Sequence, residues 1–183
     1  MNKNINKAFG FTVWFTGLSA SGKSTQSKLL YKSLVEMGHT NVVLLDGESI
    51  RDKLKMYKFD EKSREEIGFH KAKIALDLNK KGKIVLISGI AHKKKWREDI
   101  RGMIENYYEI FLDCNVENCA SRDFKGNYSK AMSGHLDNFI GVSEQYEYSE
   151  GYDLLINTAD DTIQFCANKI LESILNYMDE GVL

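Results

Sequence analysis

The 183-residue sequence contains no proline and only three cysteines, Cys114, Cys119 and Cys166. The missing proline, beside abundant lysine, asparagine and isoleucine, reads as compositional drift. The cysteines are odd in number, form no C-x-x-C and fit no zinc spacing, which excludes a disulfide framework. They read as reduced thiols of a cytosolic protein. A formal net charge of −1 excludes global attraction to DNA, RNA or anionic lipid and leaves only local basic patches. No apolar run approaches ~18–20 residues, so no transmembrane helix is expected. Residues 1–7 are polar and lack the apolar stretch of a signal peptide, so a cytoplasmic location is expected. His39, His70, His92 and His135 share no metal-ligand spacing and receive no role.

What is present suits one compact domain, residues 1–183, with 43% hydrophobic residues for its core. Residues 17–25 read Gly17-Leu18-Ser19-Ala20-Ser21-Gly22-Lys23-Ser24-Thr25 and satisfy G-x-x-x-x-G-K-[ST] at every required position. An apolar run at 11–15 precedes the loop and a helix-compatible run at 25–37 comes after it, the context a phosphate-binding loop requires. Gly17 and Gly22 let the backbone aim its N–H groups inward. Lys23 brings positive charge to the outer phosphates, and the Ser24 hydroxyl suits Mg²⁺. A Gly/Ser-rich turn that binds nothing would have no need of the Lys-Ser pair. The chain is expected to bind a nucleoside triphosphate.

Short apolar runs at 11–15, 42–45, 84–87, 109–112 and 154–156 read as buried strands. Helical patterns at 25–37, 61–81, 96–104, 116–122 and 162–178 separate them. In the long one, Ile67, Ile74 and Leu78 form an apolar stripe. This alternation predicts an α/β P-loop NTPase fold, a five-stranded parallel sheet flanked by helices on both faces. Ligands of such sheets bind at the carboxyl ends of the strands, so the loop, Asp46-Gly47 and Ser88-Gly89 should face one cleft. Residues 123–152 break the rhythm. They are polar and rich in glycine and tyrosine, and a mobile lid over the phosphates is favoured above a passive loop.

Asp46 ends the second strand, where a carboxylate could orient or deprotonate an acceptor hydroxyl or hold Mg²⁺ through water. It could also cap a short helix at 48–54, and the two roles are compatible. Arg51 and Arg64 could clasp an anionic acceptor, though either alone is an ordinary surface residue. Phe59 and Phe139 could be core or could sandwich a base. Lys93-Lys94-Lys95 reads as a solvated helix start. The guanine-specifying N-K-x-D is absent, which favours a small-molecule kinase over a GTPase switch.

Along nearly its whole length the chain resembles the adenylylsulfate (APS) kinases, which phosphorylate the ribose 3′-hydroxyl of adenosine 5′-phosphosulfate. The loop at 17–25 resembles their G-L-S-x-S-G-K-S-T, and Leu45-Asp46-Gly47-Glu48-Ser49-Ile50-Arg51 resembles L-D-G-D-x-x-R. Arg122-Asp123-Phe124-Lys125-Gly126-Asn127-Tyr128 resembles R-D-P-K-G-L-Y. Phe139-Ile140-Gly141 with Tyr146-Glu147 resembles F-T-G followed by P-Y-E. The blocks agree in order and spacing.

The resemblance implies that Gly17, Ser19, Ser21, Gly22, Lys23, Ser24 and Thr25 cradle ATP, with Arg122 near its base. Ser24 and Asp46 would hold Mg²⁺, and Lys23, Asp46 and the lid residue Lys125 would be catalytic. On the acceptor side, Arg51 and Arg64 would bind the anionic group and Phe59 and Phe139 the base. Lys130 would join Lys125 at the transferring phosphoryl group, and Ile67 would lie on the acceptor wall. The implied partner is a small nucleotide, with no nucleic acid or membrane, and a homodimer is implied by the family's habit.

Departures fall on the acceptor side. After Phe59 the family reads F-S-x-x-D-R-x-E-N-I-R-R, and this chain replaces the asparagine with Ile67 and the paired arginines with Phe69 and His70. I-S-P-Y-R becomes Ile90-Ala91-His92-Lys93-Lys94, and the lysine of G-E-I-K becomes Asp137. An unpaired buried ligand group costs ~1–3 kcal/mol, so these changes bear on the acceptor's identity. The expectation is 3′-phosphorylation of an activated nucleotide, APS first. The alternatives are cytidine diphosphoramidate, as in capsule-modification kinases, or a non-catalytic ATP-binding module.

Overall fold

The computed structural model describes residues 10–45, 47–55, 60–148 and 150–181. The apolar runs form the strands β1 (Phe11–Thr16), β2 (Val42–Leu45), β3 (Ile84–Ser88), β4 (Tyr107–Asp113) and β5 (Leu154–Asn157). All pair in parallel in the order β2-β3-β1-β4-β5, so β1 is the central strand and its ladders to β3 and β4 are equally long. The helices are α1 (Lys23–Glu36), α2 (Gly47–Leu54), α3 (Glu61–Asn79), α4 (Lys94–Met103), α5 (Val116–Ser121), α6 (Asn127–Met132) and α7 (Ile163–Gly181).

Strand alternation divides the core into two layers. Val13, Phe15, Leu86, Ile110 and Leu112 face α1 and α7, where Leu30, Leu34, Cys166, Ile170 and Ile174 meet them. Trp14, Val85, Ile87 and Tyr107 face the other way, onto Ala72 and Ala75 of α3 and Ile100 of α4. A third cluster closes the carboxyl end of the sheet. There Leu18, Phe111, Cys119, Tyr128, Phe139, Ile140 and Tyr146 pack together. The expected α/β P-loop architecture with helices on both faces is therefore the observed one.

Segment 123–152, read as irregular, contains the short helix α6 and three of that cluster's aromatics, Tyr128, Phe139 and Tyr146. Only Tyr128 and Ala131 of α6 are buried, too few positions for a helical period to show in sequence. All three cysteines are free and buried, and burial pushes the Cys119 thiol up to about 12.

The α4 edge is tied to the sheet by a buried ion pair. Arg97 Nε lies 3.7 Å from Glu109 Oε1, with both side chains almost wholly buried. Tyr107 Oη donates to Glu109 Oε2 at 3.0 Å. Arg97 also donates to the carbonyls of Ala91, at 2.6 Å, and Glu147. The guanidinium so anchors both the loop after β3 and the segment around Tyr146. Removing one partner of such a pair strands a buried charge at a cost of about 3–5 kcal/mol. Arg97→Met is expected to lose that much in urea unfolding, and adding Glu109→Gln should recover part of it. A loss below about 1 kcal/mol in the single variant would mean water already solvates Glu109.

Candidate active site

The turn after β1 begins at Gly17, with φ +133°, where a Cβ would stand 2.5 Å from the Leu112 carbonyl oxygen. Only glycine fits both the angle and the gap. The chain then doubles back through Ser19–Ser21 and enters α1 at Lys23, with Gly22 in the left-handed region as its N-cap. Backbone carbonyls that such a loop leaves without helical partners are bound from outside. Tyr128 Oη donates to Ser19 O at 3.0 Å, and Thr158 Oγ1 donates to Ser21 O at 3.0 Å. From within, Lys23 Nζ donates to Gly17 O at 3.0 Å and Leu18 O at 2.5 Å. Burial lowers the Lys23 pKa to about 8, with the nearby charge of Lys71 lowering it further and Cys119 opposing.

The loop opens into a cleft of about 1150 Å³ at the carboxyl ends of β1 and β3. Ser19, Ser21, Gly22, Lys23, Ser24 and Thr25 line one end. Ser24 and Thr25 are exposed there, and the Ser21 hydroxyl is buried with no hydrogen-bond partner among the described residues. Gly17 shapes the turn from beneath. Arg122 also lines the cleft, and its guanidinium donates to Thr158 O at 2.8 Å and Ala159 O at 3.3 Å, beside Thr162 and Ile163.

The opposite wall comes from α2 and α3. Asp60 caps α3, accepting from Ser63 N at 2.8 Å. From that fixed start Arg64, Ile67, Gly68 and Lys71 recur at i, i+3, i+4 and i+7, one helical face, and all four line the cleft. Arg51 reaches the cleft from α2. Burial lowers the pKa of Arg64, and the neighbouring Arg51 charge lowers it further. Two guanidinium groups thus crowd one end of the cleft, an arrangement an anion would relieve.

The structure brings the loop residues, Arg51, Arg64, Ile67, Phe139, Arg122 and Lys125 onto one cleft. Phe139 is buried and meets Tyr128 edge to face at 4.8 Å. Lys125 is exposed at the rim. Lys130 stands apart, exposed on α6 and off the cleft wall. Asp46 and Phe59 lie outside the described residues.

Two cleft residues escaped the sequence reading. Lys71 is buried, and its Nζ donates to Ser88 O at 2.9 Å. Its signal was available, because it interrupts the inward stripe between Ile67 and Ile74. His92 is also buried, edge-on to Trp96 at 4.8 Å, with Nε2 lacking a hydrogen-bond partner among the described residues. Burial, then the charges of Arg64 and Lys93, push its pKa down to about 4, so it is neutral near pH 7. No spacing announced it.

Comparison with known proteins agrees with this geometry. The profile of the family described as adenylylsulphate kinase matches residues 9–157. The cytidine diphosphoramidate kinase of Campylobacter jejuni is 33% identical over 164 residues, 90% of this chain and 92% of the relative. An adenylyl-sulfate kinase of Synechococcus is 36% identical over 173 residues, 92% of this chain and 96% of the relative. The Mycobacterium tuberculosis APS kinase, solved with AMPPNP and APS, superimposes with TM-score 0.84 at 31% identity, covering 91% of this chain and 98% of that one. A phosphate loop, an arginine-lined opposite wall and these likenesses agree, and the chain belongs to the adenylylsulphate kinase family as an ATP-dependent kinase.

Proposed function

We propose that this kinase phosphorylates the ribose 3′-hydroxyl of a 5′-activated nucleotide, with adenosine 5′-phosphosulfate as the leading acceptor. The observation that carries the reading is the pairing of Arg51 and Arg64 across one cleft from the phosphate loop. Their forked cations suit the anionic end of such an acceptor. Phe139, with Phe59, would hold its base, and Ile67 would pack against it.

At the other end Lys23 and the loop N–H groups would take the ATP phosphates, and Arg122 the region of its base. The buried, unpartnered Ser21 hydroxyl and the exposed Ser24 hydroxyl fit a polyanion with its metal. Among the described residues no cluster of three acidic, histidine or cysteine side chains could hold a cation. That donor set fits Mg²⁺, which keeps waters and phosphate oxygens and needs only one or two protein oxygens, here Ser24 with Asp46. When bound, Mg²⁺ would neutralise phosphate charge. Asp46 would orient the acceptor hydroxyl and take its proton, and Lys125 would cover the phosphates from the rim. Catalysis is then positioning and charge stabilisation in line with transfer.

A second reading keeps the reaction and changes the acceptor to cytidine diphosphoramidate. Ile67 favours it: its buried side chain offers no hydrogen bond on the wall that would receive APS. The Campylobacter relative acts on that class of compound by name.

An ATP-consumption assay with both acceptors separates the readings. Higher kcat/KM for APS supports the first, preference for the cytidine compound the second. Turnover of neither, with tight ATP binding, would favour a non-catalytic module. Lys23→Ala is expected to lower kcat by at least ~10²-fold, the scale for removing a preorganised charge-stabilising donor. Ile67→Asn should raise kcat/KM for APS by roughly tenfold, since one regained polar contact is worth about 1 kcal/mol or more. No gain would count against APS.

The lowered Lys23 pKa sets a pH dependence. Phosphate binding favours the ammonium, so affinity for AMPPNP should be flat below about 8 and fall above it. Linkage limits the fall to about tenfold per pH unit. Calorimetry from about pH 7 to about pH 9.5 should also show proton uptake on binding at the alkaline end. Constant affinity throughout that range would mean that Lys23 does not titrate in the free protein.

A further inference from the structure

A lysine as buried as Lys71, 5% exposed, carries a desolvation cost that α3 does not need for its packing. The turns around it bury alanines and isoleucine. Its Nζ is fixed on Ser88 O at 2.9 Å, at the carboxyl end of β3. The same residue's hydroxyl meets Ser27 Oγ of α1 at 2.9 Å, so this ammonium is held against the helix that carries the phosphate loop. Its charge is felt at Lys23, and both line the cleft. Along α3, Lys71 is seven residues from Arg64, about 10 Å at ~1.5 Å per residue. Arg64 thus marks the acceptor's anionic end and Lys71 the end of the same wall nearest the loop.

We propose that Lys71 is a catalytic cation that meets the transferring phosphoryl group from the acceptor wall, opposite Lys23. The inference rests on the phosphoryl-transfer reading of the cleft. In the step, a lone pair of the acceptor hydroxyl oxygen forms the new bond to the γ-phosphorus. The bond from that phosphorus to the β,γ-bridging oxygen breaks, and its electron pair leaves with ADP. The hydroxyl proton passes to a carboxylate or to water. Lys71 gives up no proton. It offsets charge on the equatorial oxygens, which is largest in the transition state, and so acts on kcat more than on ATP binding.

The test compares Lys71→Met, Lys71→Gln and Lys71→Arg for binding of ADP and of ADP with aluminium fluoride, a mimic of the transferring group. Turnover is measured with whichever acceptor the wild type uses. Gln keeps a donor for Ser88 O without charge, and Arg keeps the charge. Met and Gln should lose ~10²-fold in kcat and in the extra affinity for the fluoride complex. Arg should stay within about tenfold of wild type, and ADP affinity should be unchanged in all three within about threefold. A Gln variant equal to wild type would show a hydrogen-bonding strut and overturn the proposal. Equal fluoride affinity across all variants would overturn it too. If Met fails to fold, the Gln and Arg pair still decides. If the wild type transfers to neither acceptor, the acceptor reading fails while the fluoride comparison still judges Lys71.

Discussion

The whole site depends on one reversal of the chain beneath the Leu112 carbonyl. At Gly17 the backbone leaves β1 too close to β4 for any side chain, and it continues as a loop several of whose carbonyls are bound by side chains. Those carbonyls must find donors, and two come from distant parts of the sequence: Tyr128 from α6 and Thr158 from the end of β5. Tyr128 is held in place as a member of the carboxyl-end cluster. Thr16 extends the same logic, donating to Ile90 O at 2.5 Å and lying 2.8 Å from Tyr146 Oη. The loop, the turn after β3 and the segment around Tyr146 are thereby registered to the last residue of one strand.

Charge is the second constraint. The chain as a whole is nearly neutral, yet Lys23, Lys71, Arg51, Arg64 and Arg122 converge on one cleft. Gathering them costs stability through desolvation and mutual repulsion, seen in the lowered pKa values of Lys23 and Arg64. A polyanion relieves both terms at once, and preorganised cations need little rearrangement as phosphoryl charge develops. His92 fits the pattern, since a neutral imidazole adds no further repulsion beside Arg64.

The parallel sheet, the loop and most helices were legible because each rests on a local signal: an apolar run, a G-K-S triplet, a glycine stop. The helices α1 and α7 belong to the same class, whereas the Asp60 cap of α3 emerges only from the structure. What stayed hidden depends on tertiary placement. α6 buries only two side chains, and its Tyr128 serves a carbonyl more than a hundred residues earlier in the chain, at Ser19. His92 has Lys93 and Trp96 close in sequence, but its burial and the charge of Arg64, which matter most, come from tertiary placement. Lys71 was readable in principle: a lysine centred on an inward apolar stripe is either misplaced or useful.

The two ends of the cleft are built differently. The phosphate loop is braced by many residues, so a change at Gly17, Tyr128 or Thr158 disturbs several others. The opposite wall is mostly one face of α3, with Arg51 added from α2. Ile67 and Gly68 present their side chains, or the lack of one, to the cleft while the backbone of α3 stays packed through Ala72 and Ala75. Gly68 even leaves an added Cβ no contact closer than the Ile100 side chain at 3.7 Å. A side-chain change at Ile67 or Gly68 therefore alters the cleft surface while the bracing of the phosphate loop stays in place. The fold thus constrains side chains on the α3 face less than it constrains the phosphate loop, except at Lys71, which is tied to the Ser88 carbonyl.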